Sequence, residues 1–491
     1  MFDSFKEHSI AEFFKKNKQM LGFSGKVRSL TTVVHEYITN SLDACEEHGI
    51  LPNIKVEIKQ EGNSYRVIVK DNGPGIPKHL IGKALGKMLA GTKFHRYMQQ
   101  RGQQGIGAAG CTMFSYITTG QPIHFISAHN GKIVSGDLYI DFKTNEPIIK
   151  NLIEREGNFH GLTVEAVFKD VKYENSQYGV LEYIKRTALV NPHATIEFIS
   201  PNNERFLFRR VLNTIPPLPK EVKPHPLGIT THQLFYWNRE EALDYILLNY
   251  LSRFTKKKLD ELKTLVPDVN LSSIKLSWKE IEKVVHAIKQ IKWRAPHLTD
   301  VIPIGKERIE ISLKHLYNPE YSIVIERPPK VYRGGIPFVV EVGLGYNINE
   351  KSSIMRFANR TPLLFDASGC AITETIKKIN WKRYDLDLEK DNIIIFVNLS
   401  SVYIPYSSAG KQSISYEEEI VKEMKNAILD AMRYISKYKK KKIKVKEQQK
   451  RRQILLNYAE QLSNDLAYLS EKDKEEILKK LKEIIEGRYH E

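Results

Sequence analysis

The chain has 491 residues, of which 41% are hydrophobic and 27% are charged, and its formal net charge at pH 7 is +17. This length predicts several domains with cores of their own, and the absence of a long apolar run or a secretory leader predicts a cytoplasmic protein without a membrane partner. The three cysteines lack metal-ligand spacing, which excludes a disulfide scaffold and a cysteine-based zinc site.

A helix is predicted between Gly25 and Gly49, because apolar residues recur there at helical spacing. Glu36, Asn40 and Asp43 stand at i, i+4 and i+7 and therefore share one face of this helix. We interpret Glu36 as the general base that deprotonates a hydrolytic water, and Asn40 as a ligand of Mg²⁺, which prefers oxygen ligands. The alternative is a solvated polar stripe on a surface helix.

Two alternating segments, 54–58 and 65–69, predict paired strands of a half-buried sheet. Asp71 follows the second strand and precedes a Gly-Pro-Gly turn. A carboxylate in that position can accept a hydrogen bond from an exocyclic amine such as that of adenine. An ordinary hairpin turn is the alternative, since Asp and Asn are common turn residues.

Residues 101–110 form a glycine-rich loop that is predicted to enter a helix. Glycines let backbone N–H groups approach phosphate oxygens, and the helix N-terminus adds a favourable dipole. The loop does not end in the Gly-Lys-Ser/Thr of a Walker A motif. The acidic residues precede the glycines, whereas a Rossmann fingerprint places its acidic residue about 20 positions after them.

Five prolines between 216 and 226 mark the end of this first region. Helical periodicity follows over residues 227–306. From residue 307 strand-like alternation returns at 338–342, 353–364 and 393–397, with one helix at 372–379, and this order predicts a βαβ layer.

The C-terminal region is predicted to be helical. Ser415-x-x-Glu418 reads as a capping box that begins a long helix, and two further amphipathic stretches follow at 455–469 and 477–485. Residues 437–452 are strongly basic, and a polycation attracts DNA regardless of its sequence. A solvated helix face in a generally lysine-rich protein is the alternative.

Aromatic and basic side chains adjoin at Trp381, Lys382, Arg383 and Tyr384. Such a group can press against a DNA backbone, where phosphate contacts position a protein without specifying sequence. A core tryptophan beside surface lysines is the alternative. No sequence-reading motif is present, so we expect binding of double-stranded DNA without sequence specificity.

The three motifs in this order resemble the GHKL ATPases, and the chain more narrowly resembles the B subunits of topoisomerase VI, the type IIB enzyme found mainly in archaea. The resemblance covers roughly residues 1–440. The segments that carry the narrower resemblance are 91–95, 101–109, 356–364, 381–384 and 410–413.

The resemblance implies an α+β multidomain fold built around a GHKL (Bergerat) α/β-sandwich ATPase domain. The implied parts, in chain order, are an N-terminal strap (1–25), the ATPase domain (26–226), a helix-two-turns-helix domain (227–306), a βαβ transducer domain (307–414), and a long stalk helix with a helical region that binds the A subunit (415–491).

The resemblance also implies roles for individual residues. Glu36 would be the catalytic base, Asn40 the ligand of Mg²⁺ and phosphate, and Asp71 the adenine contact. Thr163 would hold the base through water, although Leu162 departs from the Gly-Thr that the family usually shows. The other implied ATP-binding residues are Thr92 and Lys93 in a lid, Gly102, Gln103, Gln104, Gly105, Ile106, Gly107, Ala108 and Ala109 around the phosphates, and Lys411 at the γ-phosphate.

The implied function is that of the ATP-binding and hydrolysing B subunit, with ATP and Mg²⁺ as cofactors. Two B subunits would dimerise on ATP within an A2B2 heterotetramer, and so gate the passage of one DNA duplex through a double-strand break made by the A subunit, which relaxes supercoils and decatenates DNA. We find no tyrosine and carboxylate set for strand cleavage in this chain. The alternatives are another GHKL ATPase, MutL-like or chaperone-like, and a non-catalytic DNA-binding scaffold.

Overall fold

A computed structural model describes residues 10–89, 97–101, 105–294, 301–408, 410–471 and 473–489. In this part of the chain no helix is both long enough and apolar enough to cross a membrane. Two mixed sheets, a separate group of helices between them in sequence, and a long C-terminal helix make up the architecture.

The first sheet has eight strands and forms the N-terminal unit. Its spatial order is β5-β4-β3-β6-β2-β1-β7-β8, and β1 and β7 run parallel. The strands are β1 (Asn53–Glu61), β2 (Ser64–Lys70), β3 (Ile123–His129), β4 (Lys132–Asp141), β5 (Glu146–Glu156), β6 (Gly161–Phe168), β7 (Thr195–Ile199) and β8 (Arg205–Phe208).

Helices pack against this sheet and share one hydrophobic core with it, as an α/β sandwich requires. The predicted first helix is confirmed, and so is the antiparallel pair β1–β2. The helices are α1 (Ile10–Lys16), α2 (Lys26–Glu47), α3 (Lys78–Gly86), α4 (Gly107–Thr119) and α5 (Val180–Val190).

The described part of the predicted strap packs against its own chain. Ala11 of α1 is fully buried in a small cluster with Ala109 and Met113 of α4. Lys15 lies over the Phe142 ring at 4.7 Å from its centroid. Residues 10–16 therefore rest on the helix that the glycine-rich loop enters.

The middle of the chain is helical and has a hydrophobic core of its own, which runs from Ile229 to Ile291. The predicted change to helical periodicity is confirmed. Two of its helices begin with capping boxes, Thr230 with Gln233 and Ser277 with Glu280. The helices are α6 (Thr231–Trp237), α7 (Leu243–Tyr250), α8 (Lys256–Leu265) and α9 (Trp278–Gln290).

The second sheet has six strands, and its central strand is buried along its whole length. The elements of this region are α10 (Lys306–Tyr317), β9 (Tyr321–Glu326), β10 (Lys330–Tyr332), β11 (Ile336–Tyr346), β12 (Ser353–Ala358), β13 (Thr361–Pro362), α11 (Ala371–Lys377) and β14 (Ile394–Ser401). Because β12 and β14 are parallel and α11 lies between them in sequence, the predicted βαβ layer is confirmed.

The strand-like segment 353–364 is not one strand. Asn359 and Arg360 have φ of +46° and +62°, so they form a two-residue turn between β12 and β13. The Asn359 side chain stabilises this turn, since its amide donates to Ser401 O at 2.9 Å and its Oδ1 accepts from Ser401 N at 2.9 Å. The alternation of apolar and polar residues could not show the turn, because Asn359 and Arg360 are polar and so do not stand out from the other polar residues of the segment 353–364.

The long C-terminal helix is confirmed as α12 (Glu418–Ser470), a single helix of 53 residues, and α13 (Lys474–Tyr489) packs against it. The stretch 455–469, which was expected to follow the long helix, is part of α12 itself. The capping box is wrong: Glu417 is the N-cap and no side chain caps the helix. Ser415 lies outside the helix, where its N–H donates to Pro405 O at 2.7 Å, next to the bridge between Tyr406 and Ile414.

Candidate nucleotide-binding site

A cavity of about 570 Å³ lies where α2, the N-terminus of α4 and the loop around residue 411 meet. Its volume suits a nucleotide-sized ligand. Glycine, carboxylate, amide and ammonium groups face the same space. The predicted site residues that line it are Glu36, Asn40, Asp71, Gly105, Ile106, Gly107, Ala108, Ala109 and Lys411.

Asp71 lines the cavity and is fixed there by three donors. Ser41 Oγ donates to Oδ2 at 2.7 Å, and the backbone N–H groups of Gly73 and Leu162 donate to Oδ1 at 2.9 and 3.0 Å. Burial raises the pKa of this carboxyl, and the three donors oppose that shift. A carboxylate held in this way can accept one further hydrogen bond from a ligand amine.

Glycines allow the backbone to approach closely around Asp71. Gly161 has φ of +131°, and a Cβ there would overlap Asp71 O. Gly75 has φ of +70°, and a Cβ there would overlap Ala128 O. The turn after β2 therefore packs against β3 and β6 only because these positions carry no side chain.

Glu36 projects from α2 beside the start of α4. Its Oε1 lies 3.8 Å from His35 Nε2, and a Cβ on Gly107 would overlap its Oε2. The glycine at the first position of α4 thus leaves room for the carboxylate. A general base next to a phosphate-binding backbone is the arrangement that hydrolysis of a phosphoanhydride needs.

The glycine-rich loop ends at an uncapped helix N-terminus, as predicted. Ile106 is the N-cap of α4, no side chain caps its N–H groups, and no acidic residue lies in the first turn. Free N–H groups and the helix dipole favour an anion at this end. A phosphate chain in the cavity would meet these groups first.

Lys411 reaches the cavity from the loop that precedes α12. Its backbone is left-handed (φ +51°), and its N–H donates to Ser408 O at 3.1 Å. Burial lowers the pKa of Lys411 while the charge of Glu36 raises it, so the ammonium lies within electrostatic range of the base.

The neighbouring residue, Gln412, holds the Lys411 loop against the segment that contains β12 and the residues after β13. Gln412 Oε1 accepts from Leu364 N and Phe365 N at 3.1 and 3.2 Å, and Gln412 O accepts from Arg356 Nη1 at 3.2 Å. The position of Lys411 is therefore set by the second sheet, although its side chain lies at the N-terminal unit.

Asn40 is exposed on the cavity wall, one turn beyond Glu36. Among the described residues no group of three His, Cys, Asp or Glu side chains could hold a metal ion. Mg²⁺ commonly takes one or two protein oxygens and completes its shell with water and substrate phosphates. The single amide oxygen of Asn40 beside a phosphate-binding helix end fits that mode.

Some predicted residues do not line the cavity or lie outside the described part of the chain. Thr163 lies in β6, where its neighbours Leu162 and Val164 line the cavity instead. Thr92, Lys93, Gly102, Gln103 and Gln104 fall in the segments that the structure does not describe.

The aromatic and basic group at 381–384 forms a short 3-10 helix. Trp381 is buried in the core of the second sheet, and its Nε1 donates to Ile376 O at 3.3 Å. Lys382 and Arg383 are exposed and Tyr384 is half-buried. The basic pair, not the tryptophan, is thus available to a partner.

Three lysines of the basic run are neutralised by acids from the second sheet region. Lys439 Nζ lies 2.6 Å from both carboxylate oxygens of Asp391. Lys440 pairs with Asp385 at 2.9 Å and Lys442 with Glu320 at 2.6 Å. The sequence suggested that few acids offset this run, whereas the fold supplies them from distant segments.

A second arrangement was not predicted: a buried carboxylate, Glu46, with three partners. Glu46 accepts from Arg101 Nη2 at 2.6 Å, Arg360 Nη2 at 2.9 Å and His193 Nε2 at 2.8 Å. Arg101 also pairs with Asp43, the third polar residue of the α2 face. The only local signal was a carboxylate on the apolar side of a helix, because its partners are far away in sequence.

Arg28 was also missed. Its guanidinium makes a bidentate pair with Asp366, at 3.0 and 3.1 Å, and lies 4.8 Å from the centroid of the Phe365 ring. Since Arg28 lies in the first turn of α2 and Asp366 follows β13, this pair joins the N-terminal unit to the second sheet, and Arg28 also lines the cavity.

Comparison with known proteins agrees with this geometry. Residues 25–144 match the family described as "Histidine kinase-, DNA gyrase B-, and HSP90-like ATPase", and residues 296–451 match "Topoisomerase VI B subunit, transducer". The GHKL fold class and the transducer layer expected from the sequence are thereby confirmed.

Two relatives are similar over nearly their whole lengths. The chain is 44% identical to the B subunit of type 2 DNA topoisomerase 6 from Methanothermobacter thermautotrophicus, over 96% of this chain and 94% of that one. It is 40% identical to the protein of the same name from Pyrococcus horikoshii, over 99% and 96%. The chain therefore belongs to the family of type 2 DNA topoisomerase 6 B subunits.

Proposed function

We propose that this chain binds and hydrolyses ATP as the B subunit of a type IIB topoisomerase VI, and that nucleotide binding drives its dimerisation. One observation carries the proposal: Glu36, the uncapped N-terminus of α4, Lys411 and Asp71 all line a single cavity. The family membership of the chain supports the same activity.

The roles of the residues follow from their chemistry. Asp71 accepts a hydrogen bond from the adenine amine, and the backbone of residues 105–109 binds the phosphates. Glu36 accepts a proton from water as the water oxygen bonds to the γ-phosphorus and the bond to the leaving ADP oxygen breaks. Asn40 contributes an oxygen ligand to Mg²⁺, which when bound neutralises phosphate charge.

Lys411 would couple the nucleotide to the rest of the chain. Its ammonium attracts the γ-phosphate, and its loop is held by the second sheet through Gln412. Loss of the γ-phosphate removes that attraction and so favours a different position of the second sheet. A ligand shifts such an equilibrium only through its different affinity for the two states.

The proposed partners are a second copy of this chain, the topoisomerase A subunit and double-stranded DNA. We assign residues 1–25 to a strap, 26–226 to the ATPase domain, 227–306 to the helix-two-turns-helix domain, 307–414 to the transducer and 415–491 to the stalk and A-subunit contact. The separate helical core from Ile229 to Ile291 supports the third assignment. Strand cleavage is assigned to the A subunit.

The test compares the wild-type chain with Glu36→Ala and with a control, Glu61→Ala, at an exposed site that pairs with Arg66. A non-hydrolysable ATP analogue should dimerise all three in sedimentation analysis. Glu36→Ala should bind ATP but hydrolyse it on the order of 10² to 10⁴ times more slowly. A wild-type chain that neither binds ATP nor dimerises would favour the non-catalytic scaffold instead.

A further inference from the structure

The general base has a histidine beside it that the proposed mechanism does not use. His35 precedes Glu36 on α2, lines the same cavity, and is half-buried. Its Nε2 lies 3.8 Å from Glu36 Oε1. Adjacent residues on a helix do not usually face each other, so this approach requires both side chains to turn towards the cavity.

The other nitrogen of His35 is fixed by Tyr183 of α5. His35 Nδ1 lies 3.1 Å from Tyr183 Oη, and the two rings also meet edge to face, at 5.4 Å between centroids. Tyr183 is itself buried in the core of the N-terminal unit. The imidazole is thus held at one end by a rigid partner and presents its other end to the base.

The charges around His35 select its tautomer. Burial lowers the pKa of His35, and the ammonium of Lys411 lowers it further, against the opposing effect of Glu36. Burial raises the pKa of Tyr183 to about 12, so its hydroxyl keeps its proton and can donate. A neutral imidazole that accepts at Nδ1 carries its hydrogen on Nε2, where it faces the Glu36 carboxylate.

The opposite tautomer is disfavoured, because it would place the Nε2 lone pair against a carboxylate oxygen. The groups that face His35 therefore all favour the neutral tautomer with its hydrogen on Nε2. These groups are Glu36 on its own helix, Tyr183 from α5, and Lys411 from the loop before α12.

We propose that Tyr183 and His35 position Glu36: the Nε2–H group of the imidazole, 3.8 Å from Oε1, orients the carboxylate electrostatically, while Oε2, over Gly107, receives the proton of the attacking water. The inference rests on the proposed ATPase activity. His35 acts here as a positioning residue: it touches the base and not the substrate. Binding of ATP does not require this contact, so its loss affects turnover alone.

Two substitutions of His35 separate this role from simple packing. In His35→Asn the amide can replace Nδ1 but does not reach Glu36, whereas in His35→Gln the amide nitrogen can occupy the place of Nε2. His35→Asn should lower kcat for ATP hydrolysis by 10-fold to about 10²-fold, because a base displaced by about 1 Å loses rate on that scale. His35→Gln should recover most of the loss.

The measurements are kcat and KM for ATP and analogue-driven dimerisation of the full chain. For both variants we expect the KM for ATP and the analogue concentration needed for dimerisation to stay within about threefold of the wild-type values. Tyr183→Phe keeps the ring and removes the hydroxyl, and it should lower kcat in the same direction. In the Glu36→Ala background, His35→Asn should have no further effect.

The control is His48→Asn, at the other end of α2, where the imidazole is exposed and its Nδ1 lies 2.9 Å from Ala44 O of the same helix. A kcat for His35→Asn within twofold of wild type would overturn the inference, and so would an equal loss in His35→Gln. A parallel loss of kcat, ATP binding and dimerisation would also overturn it, because that pattern indicates misfolding of the site.

The outcomes also separate the inference from the proposed function. Wild type without hydrolysis would overturn both. Hydrolysis that is abolished by Glu36→Ala but unaffected by His35→Asn would overturn the inference alone.

Discussion

Arg360 donates to Glu46 across the boundary between the two sheets, with Nη2 2.9 Å from Oε2. Glu46 lies in the last turn of α2, and Arg360 stands at the tip of the β12–β13 turn. The same carboxylate binds Arg101, the first residue of the glycine-rich loop. One buried acid thus links the nucleotide helix, the phosphate loop and the second sheet.

Glu46→Gln should destabilise this junction strongly. Burial opposes ionisation of Glu46, but the guanidinium groups of Arg101 and Arg360 outweigh it and hold the pKa of the carboxyl well below its usual range. Removal of the charge leaves two buried arginines with reduced compensation, which costs about 3 to 5 kcal/mol in comparable sites. We expect a lower denaturation midpoint by circular dichroism.

The exposed pair Glu61–Arg66 provides the control for Glu46, because Glu61→Gln removes a solvated charge whose pairing contributes about 0 to 1 kcal/mol. Equal denaturation midpoints for the two variants would show that the Glu46 cluster does not stabilise the fold.

Gly107→Ala should stop hydrolysis without unfolding the protein. A Cβ at this position overlaps Glu36 Oε2, so the carboxylate must move away from the phosphate loop. Gly110→Ala is the matched control in the same helix, since its Cβ would meet Leu21 Cδ1 at an ordinary 3.5 Å. We expect turnover to fall about 10²-fold or more in the first variant and to be retained in the second. Equal rates of ATP hydrolysis in the two variants would show that the Glu36 side chain can move to accommodate the added Cβ without loss of activity.

The stability of the second sheet should fall as pH rises from about 5 to about 8. Burial raises the pKa of Glu341 to about 7, although Gly305 N, Ile304 N and Asn398 Nδ2 all donate to its carboxyl. Because the folded pKa lies above that of the unfolded chain, the folded state binds the proton more tightly. The stabilisation is complete below about pH 4 and is lost as pH passes through about 7.

This loss should amount to about 3 kcal/mol, because each pKa unit corresponds to about 1.4 kcal/mol. It is measured as the change in melting temperature between pH 5 and pH 8 for wild type, Glu341→Gln and the exposed control Glu389→Gln. Glu341→Gln should flatten the pH dependence, whereas the control should keep it. If the melting temperature of Glu341→Gln changed with pH as much as that of the wild type, the pH dependence would belong to other groups.

Lysines of the basic run should differ in their effect on DNA binding. Lys444 is exposed on α12, whereas Lys439 is engaged by Asp391. Lys444→Gln should weaken binding of duplex DNA and reduce the slope of log K against log salt concentration by about 0.9, as for one lost phosphate contact. Lys439→Gln should leave the slope unchanged and lower the melting temperature. Equal slopes in both variants would contradict this distinction.

Local patterns predicted the elements that present the site, and distant contacts account for what was missed. The i, i+4 spacing of Glu36 and Asn40 placed them on one helix face because α2 is regular there. The pairing of Glu46 with Arg360 depends on how two separate sheets pack. The spacing of residues within a short segment cannot predict such a contact. Ser415 is not the cap for the same reason, since a tertiary hydrogen bond joins it to Pro405 and the helix begins after Glu417.

The buried stripe of α12 against the second sheet ends at Ser436, yet the helix continues unbroken to Ser470. That continuation is about 50 Å long. A tilt of only about 5° where the helix leaves the sheet would move its far end by about 4 Å over this length. If the second sheet turned by that small angle when the occupant of the cavity changed, the far end of α12 would therefore move by about the length of a side chain.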